Sequence, residues 1–200
     1  APATSPTVAG SSPFDNVMPW AGMKKYNIID GAVAYSEDDA GFSMTNYDTM
    51  VYIPEFYYAA YKDTANSKWR WSISPTPKEG YDLHPGSGRY IGRYHTSGDS
   101  SAVYSKTGVL PLVSTKKLDF RTYSHNKGAN WWMLDIATWS ALQLLYLVEF
   151  ANFDSQSKLG RCHTAYLGAT DAAVYHTYID GNTSNQYRWI EFPYCKVFNF

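Results

Sequence analysis

The chain has 200 residues, a net charge of −1 and only 18% charged residues, which leaves no basic face of the kind a nucleic-acid binder shows. Aromatic residues make up 17%, and such rigid, amphipathic side chains suit recognition of sugars or proteins as well as the filling of a β-rich core. No apolar run is long and uninterrupted enough to cross a bilayer, and the length fits one large domain or two small ones.

Residues 1–13 are Ala, Pro, Ser and Thr without hydrophobic period, and read as a flexible leader or linker. The chain opens without Met, which leads us to expect a processed product or a domain cut from a longer chain. Residues 14–26, with MPWAGM at 18–23, mix apolar residues with Pro and Gly and suggest an irregular segment laid on the core. Residues 27–35 suggest a strand pair turning at Asp30-Gly31. A polar loop over 36–47 holds Glu37, Asp38 and Asp39, without the ordered oxygen-ligand spacing of a calcium loop. Residues 50–61 form a strong strand by β-branched and aromatic content, with Pro54 placing a kink or edge in it. Residues 69–74 and 89–95 read as further strands, 75–88 as a loop, and 96–113 as an irregular surface segment.

Residues 114–127 predict an amphipathic helix, capped by Ser114 or Thr115 and ended by Gly128, with Phe120 and Tyr123 on one face. The stretch at 137–152 is the one long apolar run with helical character, free of Gly and Pro, with Asp135 as its N-cap. Its apolar residues lie almost all the way round, so it should be buried on more than one side. Glu149 within it is expected to accept bonds from backbone donors or from an arginine such as Arg121 or Arg161. Past Gly160 the text turns β again, over 164–167, 173–179 and 187–200, with Asp180-Gly181-Asn182 as a turn. Strands, then two helices, then strands indicate an α+β domain over 14–200 rather than a parallel sheet.

Catalytic patterns are weak. His84, His95, His125, His163 and His176 are scattered, with neither HxxxH nor HExxH spacing, and no GxSxG or P-loop occurs. Cys162 and Cys195 form no CxxC or zinc pattern; a single disulfide between them stays open, and Asn182-Thr183-Ser184 is the one glycosylation sequon. No metal and no cofactor are expected.

The series MPWAGM (18–23), VYIPEFYY (51–58), GYDLHPG (80–86) and YIGRY (90–94), then the helix pair, EFANFDSQS (149–157) and YRWIE (187–191), resembles tail and receptor-binding proteins of bacteriophages and prophages with a C-type-lectin fold. The resemblance covers nearly all of the chain from about Phe14 onward. Distant relatives of that fold are the formylglycine-generating enzymes and the variable proteins of diversity-generating retroelements. The resemblance implies two helices beside a twisted antiparallel sheet, long irregular loops, and a ligand-facing surface on the C-terminal strands.

That surface would comprise Tyr175, Tyr178, Tyr187 and Trp189, then Phe192, Tyr194, Lys196, Phe198 and Phe200. In a regular strand the last five share one face, with Cys195, Val197 and Asn199 on the other, unless Pro193 breaks the alternation. Such a face reads equally as core or as exposed hot spots and stacking platforms. Relatives commonly continue from YR as GIENPWGN. Here Trp189 stands for the Gly, Phe192 for the Asn, and Tyr194-Cys195-Lys196 for Trp-Gly-Asn. Departures concentrated in the binding strand suit a surface diversified by adenine mutagenesis, which scatters Asn codons to Tyr, Phe and Cys; Trp189 is not easily made that way.

The resemblance implies a phage or prophage adhesion protein, on a virion or a cell surface, that binds a bacterial surface protein or glycan without chemistry. A homotrimer or other virion proteins would be its further partners, with no nucleic acid and no membrane. The alternatives are a structural tail or capsid decoration domain and, remotely, a formylglycine-generating-type oxidase. That enzyme needs two catalytic cysteines close together, whereas Cys162 and Cys195 stand 33 positions apart.

Overall fold

The computed structural model describes residues 12–109, 112, 114–159, 186–188 and 190–191. It is an α+β structure with antiparallel sheets and two main helices. The first strands, β1 (Lys25–Ile29) and β2 (Ala32–Ser36), form the expected hairpin. Asp30 and Gly31 take φ of 51° and 79° at its turn, and Asp-Gly meets that demand for left-handed backbone at little cost. β3 (Asp48–Ile53) pairs with β1, and β7 (Arg89–Gly92) pairs with β3, giving the order β2-β1-β3-β7.

The strong strand expected over 50–61 is two strands in two sheets. β3 ends before Pro54, and β4 (Tyr57–Asp63) joins a second sheet with β5 (Lys68–Ser74) and β6 (Asp82–Leu83), ordered β5-β4-β6. Pro54 offers no N–H to continue the first ladder. The corner it makes sends the Phe56 ring fully into the core. The loop that follows β6 secures this corner. His84 N–H donates to the Phe56 carbonyl at 2.9 Å and Gly88 N–H to the Ile53 carbonyl at 2.8 Å. A small hairpin, β8 (Ser97–Gly98) with β9 (Val103–Tyr104), lies within the segment read as irregular.

α1 (Lys117–Asn126) starts later than the sequence suggests, and neither Ser114 nor Thr115 caps it. Ser114 sits at φ 55°, outside helical space. None of its residues is fully buried; Phe120 and Tyr123 are half-covered. Its C-cap is Lys127, with Gly128 following at φ 145°, and the Lys127 Nζ binds Asp48 Oδ2 and the Val103 carbonyl and lies over the Tyr104 and Trp131 rings.

α2 (Ile136–Phe150) is the helix the apolar run predicts. Asp135 Oδ1 accepts from Thr138 N–H at 2.7 Å, and Arg89 Nη1 donates to Asp135 Oδ2 at 2.6 Å. Ala151, at φ 48°, ends the helix. Leu142, Leu145, Tyr146 and Phe150 share one cluster with Val51, Ile53, Phe56 and Ile91 of the sheet region, and with Trp20 and Met23 from the N-terminal segment. A short α3 (Ser155–Leu159) follows, and β10 (Gln186–Tyr187) pairs with β11 (Ile190–Glu191). No helix among the described residues is long and apolar enough to cross a membrane.

Gly86 marks the closest approach of the 84–88 loop to α2. A Cβ there would lie 1.9 Å from the Ala137 carbonyl oxygen and 2.6 Å from Thr138 N. Both are backbone atoms of a capped first turn and cannot swing aside. Gly86→Ala should therefore cost at least about 2 kcal/mol, read as a lower urea midpoint with unchanged slope.

Burial lowers the pKa of His95 to about 4 from an ordinary 6.5, and burial, then the charge of Arg89, lowers that of His84. A lowered histidine pKa means the fold favours the neutral ring, so unfolding takes up a proton once pH drops below about 6.5. The histidine contribution to stability is complete above that pH, falls as pH descends towards about 4, and levels off below. The loss in urea titrations across this window should be smaller for His95→Gln than for the natural chain.

Candidate functional site

The ligand surface expected from the sequence falls on the C-terminal residues, and the described part of that region is anchored inside the protein. Tyr187 and Ile190 face each other in β10–β11 and both are buried. Between them Arg188 sits at φ 46°. A non-glycine residue in that left-handed region carries strain of about 1 kcal/mol or more, and the Arg188 side chain has bonds that offset it.

Those bonds converge on Glu149, which is 1% exposed on α2. Arg188 Nε donates to Glu149 Oε2 at 3.1 Å, and Arg188 Nη2 to Oε1. The Tyr187 hydroxyl donates to Oε2 at 3.0 Å, and Ser12 Oγ to Oε1 at 2.7 Å. Arg188 Nη1 pairs with Asp15 Oδ1 at 2.7 Å. Both carboxylate oxygens of Glu149 are thereby satisfied, and one guanidinium bridges the N-terminal segment to the helix. Burial, reinforced by the Glu149 charge, raises the Tyr187 pKa well above the usual phenol value. Burial disfavours charged Arg188, but its bonds to Glu149 and the charge of Asp15 more than offset this, and its pKa rises.

These contacts revise the sequence-based expectations in three places. Tyr187, grouped with the ligand-facing aromatics, has 0% exposure, and its hydroxyl is committed to Glu149. It is a core residue, because strand pairing turns it inward against Tyr146 and Phe150 at 6.0 and 6.3 Å. The arginine facing Glu149 is Arg188, while Arg121 lies exposed on α1. Ser12, placed in the leader by composition, is buried within the fold. The adjacency of Tyr187 and Arg188 in YRWIE was the available signal for the anchor. Tyr175, Tyr178, Trp189, Phe192, Tyr194, Lys196, Phe198 and Phe200 lie outside the described residues, as do Arg161, Cys162, Cys195, His163, His176 and the 182–184 sequon.

The three acids of the 36–47 loop have local partners. Lys25 pairs with Glu37 at 2.8 Å and Lys24 with Asp38 at 2.6 Å, while Asp39 accepts from Ser36 N–H at 2.7 Å. The three acids are thus spread among different donors. His84 Nδ1 accepts from Gly86 N–H at 3.1 Å, which places its ring proton on Nε2, 3.4 Å from Ser140 Oγ.

One aromatic group was not singled out from the sequence. Tyr26, Tyr52 and Tyr90 come from three neighbouring strands of the four-stranded sheet and cluster on the face away from Val51 and Ile53, with ring centroids 4.9–6.5 Å apart. Period-two alternation through β3 places Tyr52 opposite in direction to those core residues. Tyr90 is 40% exposed, and partial burial, then its two tyrosine neighbours, raises its pKa.

Comparisons with protein-family models, with curated proteins and with solved structures give no match.

Removing one partner of a buried ion pair leaves the other charge uncompensated, at a cost of about 3–5 kcal/mol. Glu149→Ala should lose stability on that scale in urea unfolding. Tyr187→Phe, which keeps the ring and removes one bond to a charged acceptor, should lose about 1.5–3 kcal/mol.

Proposed function

We propose that the chain is a receptor-binding or adhesion protein of a phage or prophage, built on a C-type-lectin fold. It holds a bacterial surface protein or glycan on its C-terminal aromatic residues, without chemistry. The observation that carries this reading is the anchoring of 186–191. The base of the C-terminal segment is tied to α2 through Glu149, while Trp189, Phe192 and Tyr194-Cys195-Lys196 depart from the pattern of the family the sequence resembles. A scaffold fixed by internal bonds frees the adjoining side chains to change with the target, since they need not also hold the fold. The α+β architecture, with two main helices beside antiparallel sheets, agrees with a lectin-type arrangement.

A structural role within a virion is the second reading. Trp132, Leu134 and Ile136, just ahead of and at the start of α2, are exposed at 66%, 49% and 79%. Apolar side chains concentrated in so short a stretch suit packing against a neighbouring particle protein.

The test is binding of the fluorescently labelled protein to a panel of bacterial cells, beside a variant with Ala at Trp189, Phe192, Tyr194 and Phe198. The expected outcome is binding to some strains by the natural chain, lost in a variant whose circular dichroism is unchanged. Absence of binding to every strain would favour the structural role. A variant that does not fold would return those aromatics to the core.

A further inference from the structure

The β4–β5 hairpin carries an apolar stripe that runs past the edge of the core. Its register sets Tyr58 opposite Ile73, Ala60 opposite Trp71 and Lys62 opposite Trp69, so these six side chains share one face. Tyr58 and Ile73 pack on the core cluster. Further out, Trp71 meets Phe153 edge-on at 5.9 Å and stays 37% exposed, and Trp69 is 60% exposed. β5 is also the edge of its sheet, and its outward backbone groups have no backbone partner among the described residues. Seven unbroken residues without Pro or bulge, with the uncovered Trp69 next to one end, form a template for another strand.

The sequence of β5 indicates which strand fits. Antiparallel pairing of Lys68–Ser74 with itself over its full length centres on Trp71. Trp69 then faces Ile73 of the other copy, and the two Trp71 side chains face each other, all on the apolar face. On the opposite face Lys68 meets Ser74 and Arg70 meets Ser72. Shifting the centre to Arg70 would oppose two arginines, and shifting it to Trp69 would oppose Lys68 to Arg70; both are unfavourable like-charge pairs. Arg70 is moreover neutralised within its own chain by Asp63 at 2.6 Å.

We propose that β5 is a self-association edge: two copies pair through it antiparallel, about a twofold axis at Trp71, and join their three-stranded sheets into one of six strands. Main-chain bonds supply the attraction, the Trp-Ile-Trp stripe supplies apolar burial, and the serines opposite the cations set the register. The pairing does not depend on what the C-terminal residues bind.

Sedimentation velocity over a concentration series tests it. The natural chain should dimerise, and Trp71→Glu, which opposes two carboxylates at the axis, should remain monomeric with unchanged circular dichroism. Ser74→Glu faces Lys68 of the other copy and should tighten the dimer, and Ser74→Lys should weaken it, each by roughly threefold or more. This opposed pair of changes tests the register even if Trp71→Glu fails to fold. A natural chain that is monomeric at its highest soluble concentration would overturn the proposal. So would an association that survives Trp71→Glu, or one that responds alike to both Ser74 substitutions.

Discussion

One carboxylate on the central helix organises the ends of the described structure. Glu149 lies where Ser12, Tyr187 and Arg188 meet, residues that are remote in sequence. Withdrawing an ionised carboxylate and a guanidinium from water carries a cost of several kcal/mol per ion. It is offset here because each carboxylate oxygen receives more than one donor and the guanidinium reaches a second acid. Apolar residues of similar volume often stabilise a fold as well as a buried ion pair does, so net stability alone does not account for such a pair. An apolar cluster tolerates small slips of one element on another, whereas a bidentate arginine accepts one position. The cluster around α2 supplies the driving force for collapse, and Glu149 selects the arrangement of the segments around it.

Local chemistry made much of this architecture legible. α2 and its Asp135 cap follow from a long apolar run behind a good N-cap residue, and the first hairpin follows from Asp-Gly between two apolar stretches. The α+β class follows from the order of elements. What escaped depends on distant partners. Pro54 announces an interruption, but whether the chain kinks within one sheet or leaves for another is settled by what awaits beyond it, here the 84–88 loop that binds both sides of the corner. Ser114 resembles a helix cap, yet a left-handed backbone at that residue delays α1. Tyr187 shows why a binding surface is hard to read in an aromatic-rich chain. When inward and outward positions both carry rings, hydrophobic alternation loses its contrast, and only a partner such as Glu149 distinguishes them. The tyrosine cluster on the outer sheet face and the two-residue strands have the same cause, since each is assembled by pairing between segments rather than by its own composition.

The proposed division between scaffold and binding residues has a structural logic. Tyr187 and Ile190 are packed and Arg188 is bonded, so the proposal assigns these three to the scaffold and the ligand to other residues. The exposed tryptophans of the β4–β5 hairpin are carried by a different sheet and, among the described residues, have no bond to the Glu149 network. Association through one region and ligand contact through the other would not compete for the same side chains.

The bond between Ser12 and Glu149 has a mechanical consequence. Because the 12–15 segment and the 186–191 segment are both fastened at one carboxylate, tension drawn between them follows a short path: from Ser12 and Asp15 across Arg188 and Glu149, without entering either large sheet. The strands of those sheets would stay unloaded until this fastening gave way. Pulled between these two segments, the chain would yield first at a single charged junction, and the buried Tyr187 and Ile190 beside it would be the first core residues to follow.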